Sequence, residues 1–122
     1  MARRVAELGV PLMDDDHAFL DQLMSGASGA ADAELPRLLA EIEAETRAHF
    51  SREEGLMREA GVPILHCHEQ QHALFLAEFR RGHQAVATGD FAALREFLTD
   101  FLPGLFLDHV GSVDTVTASF LR

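Results

Sequence analysis

The chain has one cysteine, Cys67, so no internal disulfide can form. This usage fits a reducing compartment, and a cytoplasmic location is expected. Uncharged stretches such as Leu102 to Leu107 fall far short of the roughly 20 apolar residues that a membrane span needs. A signal-peptide pattern is missing too: two arginines precede the mixed run Val5 to Met13 and then three aspartates, without an apolar core or small-residue cleavage site. Basic residues are scarce, with 10 Lys plus Arg against 20 Asp plus Glu and a formal net charge of −10. Such a chain repels phosphate backbones and anionic lipid, and Arg3-Arg4 and Arg80-Arg81 are isolated pairs rather than a patch. Neither nucleic acid nor a membrane is therefore an expected partner. Internal repeats are absent, and the only low-complexity stretch is Ser25 to Ala31.

What remains is 122 residues, 48% hydrophobic and 25% charged, enough for one domain with one core and no staples. We expect a single domain over 1–122 with an N-terminal extension over 1–13. Hydrophobic spacing predicts four helices, at about 14–25, 33–60, 64–88 and 91–120. Asp14 is placed to cap the first and Asp90 the fourth; Pro36 fits a first helical turn, and Gly61 and Gly89 fit helix ends. No strand alternation of useful length competes. The expected fold is all-α, an antiparallel up-and-down four-helix bundle. Pro103 and Gly104 fall inside the fourth helix, where a kink is expected.

Polar residues interrupt the inward stripes. His49 and Glu53 lie one turn apart on the second helix, and His68 and His72 one turn apart on the third, so four hydrogen-bonding groups point into the core. A buried imidazole without a partner costs on the order of 1 to 3 kcal/mol, and an unpaired carboxylate more. A bound cation would remove that cost. Adding His17 on the first helix, and His109 with Asp114 on the fourth, gives every helix a metal-capable residue near one level of the bundle. Imidazole and carboxylate without thiolate suit iron, zinc or manganese.

Set out in order, the pieces are Gly9-Val10-Pro11-Leu12 through Asp14 to His17, His49-Phe50-Ser51-Arg52-Glu53-Glu54, His68-Glu69-Gln70-Gln71-His72, and His109 with Asp114 five positions on. This constellation resembles the hemerythrin family, in particular bacterial single-domain hemerythrins, and the match covers nearly the whole chain. The resemblance implies an oxo- or hydroxo-bridged di-iron centre that binds dioxygen reversibly. By analogy, His68, His72 and His109 hold one iron, His17 and His49 hold the other, and Glu53 and Asp114 bridge them. Two six-coordinate ions held in this way keep one position open, on the iron with two histidines, too few for both oxygen and an organic substrate. That favours a non-enzymatic carrier, store or sensor over an oxygenase. An apolar sleeve around the site is expected from Phe19, Phe50, Phe75, Phe101, Leu105 and Phe106. The chain departs from the family at Leu105 and Phe106, where Trp and Leu are common, and it has no Trp or Tyr at all.

The spacing from His109 to Asp114 carries its own constraint, because five residues of ideal α-helix rotate a side chain by about 140°. Both can face one site only across an irregular turn, which is expected between Leu107 and Asp114. Other polar residues have plainer expectations: His66 is a surface residue, His83 is no ligand, Cys67 is a buried inert thiol, and Glu54 is an exposed acid. Asp14 to Asp16 serve the helix start, or one of them orients His17. A ferritin-like oxidase would need two Glu-x-x-His pairs, and only Glu69 to His72 fits. A hydrolytic zinc enzyme would need a general base and a cleft, which no loop motif suggests. Within the resemblance, oxidase or peroxidase activity, nitric-oxide handling, or sensing within a larger signalling protein remain alternatives to carriage. Dioxygen is the expected partner, alongside an unidentified redox or signalling protein, and the chain is expected to be a monomer.

Overall fold

The first arm of the bundle starts earlier than the spacing predicts. In a computed structural model, which describes residues 5 and 7–122, helix α1 spans Pro11–Ser25 with Pro11 in its first turn, where a missing N–H costs nothing. Asp14 therefore sits inside the helix rather than at its cap. Its carboxylate turns back to accept from the backbone N–H groups of Leu8, at 2.7 Å, and Gly9, at 3.1 Å. Leu8, Val10 and Met13 are buried, so the expected extension over 1–13 contributes to the core from residue 8 onward. Its residues 1–4 and 6 lie outside the described residues.

Two short 3₁₀ turns, Gly26–Ser28 and Asp32–Glu34, join α1 to α2 (Leu35–Ala60). This connection is pinned: the guanidinium of Arg95 donates to the Ala27 carbonyl at 2.9 Å and pairs with Asp32 at 2.7 Å. Helix α2 buries Leu35, Leu39, Ile42, Thr46, His49, Phe50, Glu53 and Met57; Ile42, His49 and Glu53 lie on the stripe that the spacing predicts, while Leu38, Glu45 and Leu56, read onto the same stripe, are only half-buried. Gly61 ends it in the left-handed conformation, at φ 67°.

The third arm is one helix by hydrophobic spacing and two in the structure, α3 (Leu65–Ala77) and α4 (Arg80–Thr88). At the join the chain tightens, with Glu78 N–H bonding Phe75 O and Phe79 N–H bonding Leu76 O, one residue shorter than an α-turn. Gly89 closes α4 at φ 70° and Asp90 caps the next helix through Ala93 N–H at 3.0 Å.

The fourth arm runs continuously through α5 (Phe91–Glu96), a π-type turn (Phe97–Phe101), α6 (Leu102–His109), a second π-type turn (Val110–Asp114) and α7 (Thr115–Leu121). Pro103 does not break it. The widened turn just ahead carries the Leu102 N–H to Phe97 O, so the proline falls in the first turn of α6, where no N–H is required.

Four antiparallel arms divide the interior into two ends. One is apolar, packed from residues such as Leu20, Leu39, Ile42, Phe79, Leu94 and Leu98. The other lies beside the first halves of α1 and α3 and the last halves of α2 and the fourth arm, and there the inward residues are polar. Among the described residues no helix is long and apolar enough to cross a membrane.

Packing at the apolar end yields a paired test. A Cβ on Gly82 would stand 2.7 Å from Leu39 Cδ1 and 3.2 Å from Phe97, whereas one on Gly55, inside α2, would meet nothing within 4 Å. We expect Gly82→Ala to lower stability by about 1 to 3 kcal/mol through overpacking, and Gly55→Ala to raise it by about 0.5 to 1 kcal/mol, both read from urea unfolding midpoints.

Candidate metal centre

All seven candidate donors meet at the polar end. His17 comes from α1, His49 and Glu53 from α2, His68 and His72 from α3, His109 from the end of α6 and Asp114 from the turn after it. Every one is buried; the most accessible, His109, is only 7% exposed. Their ligating atoms form two overlapping groups, each within 4.8 Å: Glu53, His68, His72, His109 and Asp114 in one, His17, His49, Glu53 and Asp114 in the other. The two carboxylates belong to both.

The atoms approach closely without pairing off. His17 Nε2 lies 2.9 Å from Asp114 Oδ2, His109 Nε2 lies 3.1 Å from Asp114 Oδ1, and His49 Nε2 lies 3.0 Å from Glu53 Oε2. Yet these atoms, with His72 Nε2 and His17 Nδ1, make no hydrogen bond. The contact between His68 Nε2 and Glu53 Oε1 is an exception. Unpaired buried groups in such number would cost several kcal/mol. Lone pairs converging on common points are what a metal ion needs, so the residues present fit a pair of cations.

The turn at Val110–Asp114 makes this convergence possible. Thr115 N–H reaches Val110 O, five residues back, and the Thr115 hydroxyl donates to the same carbonyl at 2.8 Å. The extra residue brings Asp114 round to the face of His109, where the spacing predicts an irregular turn.

On their outer sides three rings are held by hydrogen bonds. His49 Nδ1–H donates to Asp16 Oδ2 at 2.9 Å, His72 Nδ1–H to Glu54 Oε2 at 2.5 Å and His68 Nδ1–H to Thr117 Oγ1 at 2.6 Å. A proton fixed on Nδ1 leaves the Nε2 lone pairs of His49 and His72 facing inward, without a hydrogen-bond partner. Glu54 is thus a partner of His72 rather than the expected exposed acid, and Asp16 serves His49 rather than its neighbour His17. Thr117 escaped the sequence reading; its one signal is that a polar residue one turn beyond Asp114 continues the inward stripe.

Electrostatics follow the same contacts. Burial pushes the Glu53 carboxyl upward, but the imidazoles of His49, His68 and His72 crowded against it outweigh burial and hold Glu53 far below the usual carboxylate range. Burial depresses His49, but the nearby Glu53 carboxylate and the hydrogen bond to Asp16 more than compensate, leaving the imidazole raised. Asp16 is lowered, because Arg52 and His49 together outweigh its partial burial.

Of the expected sleeve, Phe50, Phe75 and Phe106 surround the donors. Phe50 stacks on His72 with centroids 3.7 Å apart, Phe75 meets His109 edge-on at 5.5 Å, and Phe106 meets His17 edge-on at 5.6 Å. Leu105 borders a groove beside His109. Two expected members lie elsewhere. Phe19 is 51% exposed, two residues from His17 and so rotated off the inward face. Phe101 stacks on Phe97 under the Arg81 guanidinium, because the first π-type turn directs it toward α4. Cys67 is exposed rather than buried, since one helical step from His68 turns it off the stripe. His66 is also exposed, and His83 pairs with Glu43 at 2.6 Å, away from the donors.

The family model described as the hemerythrin HHE cation binding domain matches residues 8–119. The chain belongs to the hemerythrin family. It is similar to a bacteriohemerythrin of Ralstonia nicotianae, 33% identical over 114 residues, covering 93% of this chain and 82% of that one. It is also similar to one of Stenotrophomonas maltophilia, 31% identical over 85 residues, covering 64% of this chain and 56% of that one. No solved structure gives a significant match. The hemerythrin match takes in every element that supplies a donor, and its cation-binding description agrees with the stranded lone pairs.

A pH test separates the metal-free from the metal-loaded state of this hemerythrin domain. In the metal-free protein the raised His49 contributes stability that is fully present below its unfolded value of 6.5 and is lost as pH rises through its folded value. In the loaded protein protons compete with the metal for the imidazoles, so stability rises with pH. Urea midpoints between about pH 6 and 8 should slope downward for chelator-treated protein and upward for loaded protein; slopes of the same sign would contradict the site.

Proposed function

We propose that the protein is a di-iron hemerythrin that binds dioxygen reversibly, as a carrier or store rather than an enzyme. In this reading His68, His72 and His109 would hold one iron, His17 and His49 would hold the other, and Glu53 and Asp114 would serve both. The observation that carries it is the unequal division of histidines between two donor groups that share both carboxylates. Unequal donors would leave an ion on the His17 and His49 side with one protein ligand fewer than its neighbour. When bound, the iron pair supplies the electrons and the free coordination position that reversible uptake of oxygen needs.

The chain's own residues support binding over turnover. Inner nitrogens and oxygens would be committed to the ions, and the outer Nδ1 atoms of His49, His68 and His72 are engaged by Asp16, Thr117 and Glu54. That leaves those three rings no free nitrogen to act as a general base. Phe50, Phe75 and Phe106, each 4 to 5% exposed, exclude water and disfavour the escape of charged oxygen species. Phe106 lies against His17, on the side proposed to be open, so its ring bounds the space available to a ligand.

The test is metal analysis joined to spectroscopy. Two irons per chain are expected, with a visible absorption band that appears when oxygen reaches the reduced protein and fades when oxygen is withdrawn. His72→Ala should lose one iron per chain while the far-ultraviolet circular dichroism stays helical. Zinc in place of iron, or iron with no reversible band, would contradict the proposal.

A further inference from the structure

We propose that Arg52, whose hydrogen bonds go to Asp16 and Glu45 and not to the seven donors, is a positioning residue for the metal centre: its guanidinium fixes Asp16, and Asp16 fixes the ring of His49. The inference rests on the reading of His49 as a metal ligand and adds a role outside the donor set. Arg52 lies one turn beyond His49 on α2, while Asp16 reaches in from α1. The guanidinium grips Asp16 with two teeth, Nε donating to Oδ2 at 3.0 Å and an Nη2 atom lying 3.0 Å from Oδ1. The same Nη2 donates to Glu45 at 2.7 Å, two turns back on α2. Asp16 Oδ2 in turn accepts from His49 Nδ1 at 2.9 Å.

Each contact removes a freedom that the next one needs. The Asp16 side chain is 15% exposed and, without its partner, can rotate toward water. Held at both oxygens, it keeps one of them in the plane where His49 Nδ1–H donates. With that proton fixed, His49 Nε2 presents its lone pair to the interior, where it has no hydrogen-bond partner. Glu45 limits the guanidinium's own rotation, so Arg52, 40% exposed, is held from two helices. Among the described residues His72 has no such relay, since Glu54 reaches it directly and from α2 alone. A lysine at position 52 would keep the charge but lose the planar fork.

Zinc-loaded protein, which is diamagnetic, provides the test by nuclear magnetic resonance. In Arg52→Met the His49 Nδ1–H proton should exchange with water faster than in the parent, while the His72 Nδ1–H proton in the same spectrum is unchanged. One of the two zinc ions should also leave to a chelator about tenfold faster. Arg52→Lys should restore these rates in part only. Arg37→Met, which removes an exposed arginine paired with Glu41 at 2.8 Å, should alter neither rate. Unchanged His49 exchange, equal acceleration of both protons, an equal effect of Arg37→Met, or full restoration by lysine would each overturn the role of Arg52. Failure to bind zinc at all would instead overturn the metal-site reading, and this inference with it.

Discussion

Seven side chains with unshared electron pairs point at one another in a space closed to water, and they cannot satisfy each other. In a low-dielectric interior, lone pairs that meet lone pairs need a cation or a set of aligned protons. Here protons are taken to the outside of three rings, where Asp16, Glu54 and Thr117 receive them. The inner nitrogens of His17, His49, His72 and His109 are left without a hydrogen-bond partner. Much else in the bundle serves that arrangement: antiparallel arms bring donors from early in α1 and α3 to the level of donors late in α2 and in the fourth arm, and an extra residue in a helical turn swings Asp114 into line.

The molecule separates its tasks by position. The apolar end supplies burial through residues such as Ile42, Phe79 and Leu98, and Leu39 and Phe97 pack so closely on Gly82 that it has no room for a methyl group. The polar end carries the site, and its aromatic lining is local: Phe50, Phe75 and Phe106 each lie against a histidine ring. The two π-type turns have different causes. One accommodates Pro103 and the other aims Asp114, although they are alike in backbone form.

Helical periodicity made the donors and the all-α bundle legible, because side chains three or four residues apart share a face whatever packs against them. The irregular turn at Asp114 followed from the same geometry, since a five-residue step does not return to its face. What stayed hidden depends on contacts between arms. Glu54 reads as one more surface acid until α3 brings His72 to it, and Asp16 reads as a helix-start charge until α2 brings His49 and Arg52. Phe19 and Phe101 were misplaced because an aromatic residue near a donor in sequence need not face it, and the break at Glu78 and Phe79 leaves no mark in the hydrophobic spacing.

The most direct measurement is a crystallographic anomalous-difference map of the metal-loaded protein, collected on either side of the iron edge. The account requires two peaks per chain that vanish below the edge, one among His68, His72 and His109 and one beside His17 and His49, with the Glu53 and Asp114 carboxylates between them. A map without peaks there, with the seven side chains rearranged into hydrogen bonds to one another or to water, would contradict it.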